Sequence, residues 1–108
     1  MVVPLEPRDP QLDPASLERD LERLETDLRQ LELEYTMFFA GQRPRPPLES
    51  QARVEAIIRR WDRVPIEGST ARFRYNTLRQ RFRTFADLWD RGLRAREEGR
   101  PGPFSRLS

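Results

Sequence analysis

The feature that most constrains this chain is a repeat of apolar residues at alternating intervals of four and three. In residues 14–40 it runs unbroken over three heptads, through Leu17, Leu21, Leu24, Leu28, Leu31, Tyr35 and Phe38. A second repeat in residues 69–98 consists of Ala71, Tyr75, Leu78, Phe82, Phe85, Trp89 and Gly92. This spacing keeps one stripe of a helix directed at a partner helix. The chain is therefore predicted to contain two long, heptad-patterned helices.

A shorter helix is predicted between the two long ones. Its apolar residues follow the i, i+3, i+4, i+7 pattern of one helix face and are Val54, Ile57, Ile58 and Trp61. Asp13 is a suitable N-cap for the first helix, Ser69 or Thr70 for the third, and Gly41 stands where the first helix is expected to end. The predicted fold is all-α, with three helices at about 14–40, 48–63 and 69–98. We expect the long helices to form a coiled-coil-like hairpin, with the shorter helix packed on it.

The chain of 108 residues is predicted to form one domain. Residues 1–12 contain three prolines and are expected to be an extended arm. Residues 13–98 form the three-helix domain, and residues 99–108, with their Gly and Pro, are expected to be a disordered tail. Phe104 in this tail is either a packing contact or a partner-binding residue. The Arg43–Pro47 run is interpreted as a stiff loop rather than as a polyproline ligand.

The residues beside the two apolar seams carry opposite charges. The e and g positions of the first helix are all acidic: Glu18, Asp20, Glu25, Asp27, Glu32 and Glu34. The corresponding positions in the first half of the third helix are all basic: Arg72, Arg74, Arg79 and Arg81. Two copies of the first helix would place acid against acid, so it is predicted to pair with the third. The short helix cannot cover the full length of the two long ones, which leaves apolar seam residues at their ends uncovered. A homodimer that buries these ends is therefore an alternative.

The composition excludes several kinds of chemistry. The chain has no cysteine and no histidine, and all twenty of its basic residues are arginine. Thiolate metal sites, a cysteine nucleophile and a histidine base are thereby excluded, as is Schiff-base chemistry on a lysine. No glycine-rich phosphate loop is present. We predict a protein that is not an enzyme, with no catalytic residue, metal or cofactor.

The function that best fits this pattern is a scaffold or adaptor that works by protein–protein contact. Candidate partner-binding residues are apolar residues outside the seams and arginines late in the third helix: Phe73, Leu33, Met37, Arg83, Arg91 and Arg94. The alternative is an arginine-rich nucleic-acid-binding protein, because residues 41–108 hold sixteen arginines and eight acids. No apolar run approaches the ~20 residues of a membrane span and no signal peptide is visible, so we expect a cytoplasmic protein without a membrane partner.

Two segments resemble a known but uncharacterised family. They are Tyr35-Thr-Met-Phe-Phe-Ala-Gly through Arg45-Pro-Pro, and Phe82-Arg-Thr-Phe-Ala-Asp-Leu-Trp-Asp-Arg-Gly-Leu. Both are similar to a helical domain of myxobacterial and related deltaproteobacterial proteins, which occurs alone or beside signalling modules. The resemblance covers about residues 16–104. It implies a bacterial, cytoplasmic, protein-binding domain and implies no activity or functional residue.

Overall fold

A computed structural model of the chain describes residues 13–105, which form three α-helices. These are α1 (Pro14–Phe39), α2 (Leu48–Asp62) and α3 (Ser69–Glu97). The prediction of an all-α fold with three helices is confirmed, and each observed helix end lies within one residue of its predicted position. The predicted arm at residues 1–12 lies outside the described residues.

Local sequence accounts for the helix ends. The backbone N–H of Ser16 donates to Asp13 Oδ1 over 2.8 Å, which caps α1, and Pro14 occupies the first turn. This hydrogen bond lowers the pKa of Asp13. Gly41, just past α1, has a positive φ of 82°. The start of α3 differs from the prediction, because Ser69 is already helical and the cap position falls on Gly68, which has no side chain.

Helices α1 and α2 run in opposite directions. Near the start of α1, Asp20 accepts a hydrogen bond from Trp61, which lies near the end of α2. Near the end of α1, the Tyr35 hydroxyl donates to Gln51, which lies near the start of α2. The loop between α1 and α2 therefore returns the chain along α1 as an antiparallel neighbour.

Helices α1 and α3 run in the same direction. Arg74, early in α3, binds Glu18, early in α1, whereas Arg81 binds the later Glu32. The molecule is thus an up-down-up bundle and differs from the expected hairpin of α1 and α3. The physical reason is α2, whose 15 residues span about 22 Å and carry the chain back to the start of α1 before α3 begins.

The core lies along α1, which packs against both other helices. All seven seam residues of α1 are buried, and so are Trp61 and Trp89. Tyr35 stacks on Trp89 with ring centroids 4.2 Å apart, joining α1 to α3. At the other end Leu17 is buried next to Val64 and Ile66, so the α2–α3 linker covers the start of the α1 seam.

The segment that follows α3 folds back onto the bundle. The Arg100 N–H donates to the Ala95 carbonyl, and the Phe104 ring stacks on Phe39. Residues 99–105 therefore differ from the expected disordered tail, because Phe104 finds an apolar surface at the end of the bundle. Residues 106–108 lie outside the described part. No helix among residues 13–105 combines the length and the apolar content needed to cross a membrane.

Candidate protein-binding surface

The acidic e positions of α1 are used for contacts with α3. Arg74 lies between Glu18 and Glu25, at 3.1 Å from a carboxylate oxygen of each. Arg81 lies 2.7 Å from a carboxylate oxygen of Glu32. One acidic edge of α1 and two of the four flanking arginines of α3 are therefore paired with each other inside the chain.

The acidic g positions of α1 face α2 and the loop before it. One oxygen of Asp20, Oδ2, accepts from Trp61 Nε1 at 2.7 Å and from Arg60 at 2.8 Å. Glu34 pairs with Arg43 at 2.9 Å, which holds the Arg43–Pro47 loop against α1. This contact supports the interpretation of that run as a packed loop.

A polar cluster joins the end of α2 to α3. The Tyr75 hydroxyl lies 2.5 Å from Asp62 Oδ1 and 2.9 Å from the Ile58 carbonyl oxygen, and Arg79 donates to the same Asp62 oxygen. Burial, reinforced by the hydrogen bond to Asp62, raises the pKa of Tyr75. For Asp62, burial by itself would raise the pKa. The hydrogen bonds from Tyr75 and Arg79 and the positive charge of Arg83 have the larger effect, so the pKa of Asp62 is lowered. The cluster ties α2 to α3.

Most of the arginines that could form a nucleic-acid-binding surface have acidic partners. Nine arginines of α2, α3 and the turn that follows α2 are relevant: Arg59, Arg60, Arg63, Arg79, Arg81, Arg83, Arg91, Arg94 and Arg96. Six of these nine pair with carboxylates of the same chain. Arg96 lies over the Phe38 ring, 4.6 Å from its centroid. Within residues 13–105, only Arg59 and Arg63 of this set lack both kinds of contact.

The three arginines predicted as partner-binding residues are exposed but already paired. Arg91 and Arg94 each bind an aspartate one turn earlier in α3, Asp87 at 3.3 Å and Asp90 at 3.1 Å. Arg83 lies 3.8 Å from Asp62 across the α2–α3 contact. Exposed pairs of this kind are worth about 0–1 kcal/mol, so a partner could displace them at little cost.

The three apolar residues of the prediction lie in different places. The exposed fraction is 73% for Phe73 and 53% for Leu33, whereas Met37 is half-buried. Arg74, next to Phe73, lies beside Glu18 and Glu25 of α1. Leu33 is at least eight residues further along α1, or about 12 Å. Phe73 and Leu33 therefore lie at different levels along the bundle, and Leu33 does not line the groove that contains Phe73.

Phe73 lies at one end of a shallow groove on the outer face of α3. The groove is wide open, has a volume of about 510 Å³ and is lined by residues of α3 alone: Phe73, Asn76, Thr77, Gln80, Arg81, Thr84 and Phe85. The heptad pattern places Phe85 in the buried seam, but its side chain is only half-buried and lines the groove at the end opposite Phe73. The signal that could have identified the groove is the uncharged i, i+4, i+7, i+11 series that begins at Phe73: Phe73, Thr77, Gln80 and Thr84.

The groove can bind an apolar or aromatic group, and its polar side chains can contribute hydrogen bonds. No cluster of three or more potential metal ligands occurs in the described residues 13–105. Comparisons with protein-family models, curated proteins and solved structures found no match for this chain.

Proposed function

We propose that this chain is a non-enzymatic interaction module, a scaffold or adaptor, that binds a protein partner through the Phe73 groove. One observation carries the proposal. Of the ten aromatic residues of the chain, nine are buried or half-buried, and Phe73 alone is exposed, at 73%. Burying a large aromatic side chain is favourable by about 1.5–3 kcal/mol. A partner that covers Phe73 would gain this free energy, which the isolated chain leaves unused.

The surroundings of Phe73 suit a protein partner. Large aromatic side chains with a polar rim are typical of the residues that dominate binding energy at protein interfaces. Thr77, Gln80 and Thr84, which are polar and uncharged, line the groove together with Arg81. Because Phe73 contributes nothing to the buried core, its replacement should change binding and leave the fold intact.

Affinity capture with three forms of the full chain tests this proposal. The wild type should retain a protein partner from a nuclease-treated extract, Phe73→Ala should lose it, and Leu48→Ala should keep it. Leu48 is the matched control, because it is a comparably exposed leucine (62%) on α2, outside the groove. Equal capture by all three forms, or by none, would contradict the groove as the binding site.

Nucleic-acid binding is the second candidate, and the unpaired Arg59 and Arg63 favour it. A nucleic-acid interface loses affinity steeply as salt rises, because bound arginines release counterions from the phosphates. Fluorescence anisotropy with labelled RNA and DNA at low and high salt measures this. Steep salt dependence, together with loss of binding in an Arg59→Ala/Arg63→Ala variant, would favour this function over the protein interface.

Self-association, a cytoplasmic location and the relationship to deltaproteobacterial domains stay predictions. Light scattering at low and high salt measures the mass of the particle directly. A dimer that Phe73→Ala converts to a monomer would identify the partner in the groove as a second copy. A monomer at both salt concentrations would direct the search to other proteins.

A further inference from the structure

We propose that the partner in the Phe73 groove is a second copy of this chain, whose α1 packs antiparallel on α3 through the exposed face around Leu33. This inference rests on the proposed function, because it uses the same groove. In residues 13–105 the exposed large apolar residues are Phe73, Leu33 and Leu48. Because Phe73 and Leu33 lie on different helices and at different levels along the bundle, they can meet only between chains.

Each of these two helices carries an uncharged stripe at intervals of four, three and four residues. The α3 stripe lines the groove, and all four of its residues are exposed: Phe73, Thr77, Gln80 and Thr84. The α1 stripe has the same intervals and consists of Thr26, Gln30, Leu33 and Met37. Its first three residues are exposed and Met37 is half-buried. These intervals are those of a helix-packing seam, and each stripe is about 17 Å long.

The order of residues along the two stripes determines the direction in which they match. The apolar end comes first on α3, at Phe73, and last on α1, at Leu33 and Met37. In an antiparallel contact Phe73 therefore meets the apolar end of the α1 stripe, and the two glutamines meet in the middle. In a parallel contact Phe73 would lie on Thr26, and apolar side chains would face polar ones at both ends. Burial of apolar surface thus favours the antiparallel direction.

One edge of this contact brings opposite charges together. Asp27 and Arg81 both occupy g positions of their helices, and an antiparallel contact through the two stripes places the g edges against each other. Arg81 keeps 46% of its side chain exposed although it binds Glu32. The Asp27 side chain makes no hydrogen bond or ion pair within residues 13–105. The second copy would therefore supply Asp27 with a cationic partner.

The other edge of the contact is less favourable. There Arg83 faces Arg29 of the second copy, although each of them already lies near a carboxylate of its own chain, Asp62 at 3.8 Å and Glu25 at 3.5 Å. A contact through one face of each helix is also small beside the ~1,200–2,000 Å² of a stable interface. We therefore expect weak association, with a Kd between about 1 µM and 1 mM.

The contact joins two different surfaces, so it does not stop at a pair of chains. A copy that contributes its α1 stripe keeps its own Phe73 groove open, and a copy that contributes its groove keeps its α1 stripe open. Contacts of this heterologous kind add copies one after another until a ring closes. The particle is therefore expected to grow beyond a dimer as the concentration rises, which suits a scaffold.

Sedimentation velocity of the full chain between about 1 µM and 1 mM tests the proposal. The average mass of the wild type should rise with concentration past that of a dimer. Phe73→Ala and Leu33→Ala should each weaken association about tenfold or more, because each removes a large apolar contact. Leu48→Ala is the matched control and should behave as the wild type. A wild type that stays monomeric throughout overturns the proposal.

A mixture of two variants distinguishes this contact from one between like surfaces. The Leu33→Ala chain keeps an intact groove, and the Phe73→Ala chain keeps an intact α1 stripe. An equimolar mixture should therefore regain one contact per pair and form dimers that grow no further. A symmetric contact of Phe73 with Phe73 predicts no such recovery, and its absence overturns the proposal.

Paramagnetic relaxation measures the direction of the contact. The chain has no cysteine, so Arg23→Cys, at an exposed position one turn before Thr26, takes a single nitroxide label. Labelled chain without ¹⁵N, mixed with unlabelled ¹⁵N chain, reports contacts between copies only. Amide signals around Thr84 should lose more intensity than those around Phe73, relative to the reduced label. The reverse order overturns the antiparallel contact.

The results separate this inference from the proposed function. Capture of another protein through Phe73, without self-association, overturns the inference and leaves the proposed function standing. Self-association that requires both Phe73 and Leu33, without capture of any other protein, supports the inference and contradicts a scaffold role towards other proteins.

Discussion

The ring of Phe104 lies flat against the ring of Phe39, with centroids 4.0 Å apart and planes 7° apart. Gly92 on α3 makes this stack possible. A Cβ at that position would come within 2.7 Å of the Phe104 ring and 2.8 Å of the Phe39 ring. Glycine inside a helix costs about 1 kcal/mol relative to alanine, so the close approach of the two rings explains why glycine is present in the α3 seam.

Replacing Gly92 by alanine should lower stability despite the better helix propensity. The added methyl group overlaps two rings, and overpacking of this kind costs about 1–3 kcal/mol. Urea unfolding followed by far-UV circular dichroism gives the free energy of unfolding. Gln80→Ala is the control, because this exposed residue of α3 should change stability by about 0.5 kcal/mol or less. A stability gain for Gly92→Ala would show that Phe104 does not pack there.

Removing the Asp20 carboxylate should destabilise the bundle, because it leaves the buried Trp61 N–H without an acceptor. The expected loss is about 1–3 kcal/mol in Asp20→Ala. Asp27→Ala is the matched control, since Asp27 is another g-position aspartate of α1 and its side chain makes no hydrogen bond or ion pair within residues 13–105. Both changes gain the same helix propensity. Equal free energies of unfolding for the two variants would contradict the role of Asp20.

The parallel direction of α1 and α3 can be tested by double-mutant cycles. Glu32 and Arg81 are 2.7 Å apart, so alanine substitutions at the two positions should show a coupling energy of about 0.2–1 kcal/mol. Glu18 pairs with Arg74 and not with Arg81, and the Glu18–Arg81 cycle should show none. In an antiparallel arrangement Glu32 would lie far from Arg81. Coupling only in the second cycle is therefore the result that would exclude the parallel bundle.

Stability should depend on pH through Asp62. Its pKa is lower in the folded chain than the unfolded value of about 3.9, so its contribution is present above that value and is lost as the pH falls through the folded pKa. Asp62→Asn removes this contribution. We expect the free energy of unfolding of the variant to fall less steeply than that of the wild type between about pH 5 and pH 2. Parallel curves would mean that Asp62 has the same pKa in both states.

Part of the candidate site could be predicted from the sequence. Phe73 is predicted as a binding residue because it is an apolar residue that lies outside the heptad seam of its helix. Phe85 was not identified, because its heptad position is the same as that of the buried Leu78. Phe85 stacks on Trp89 with ring centroids 5.5 Å apart, and its side chain also lines the groove. The next seam residues are covered, Trp89 by Tyr35 and Gly92 by Phe39 and Phe104.

The sequence by itself determined the three helices and, to within one residue, their ends, because heptad spacing, caps and prolines act within a few residues of one another. It also determined that acidic α1 would pair with basic α3. Only the tertiary structure decided that α1 and α3 are parallel and that Phe104 stacks on Phe39. It also decided that the e-position acids of α1 pair with α3, whereas Asp20 at a g position binds α2. These features depend on which distant residues meet, and the periodic pattern of a helix is the same in either direction.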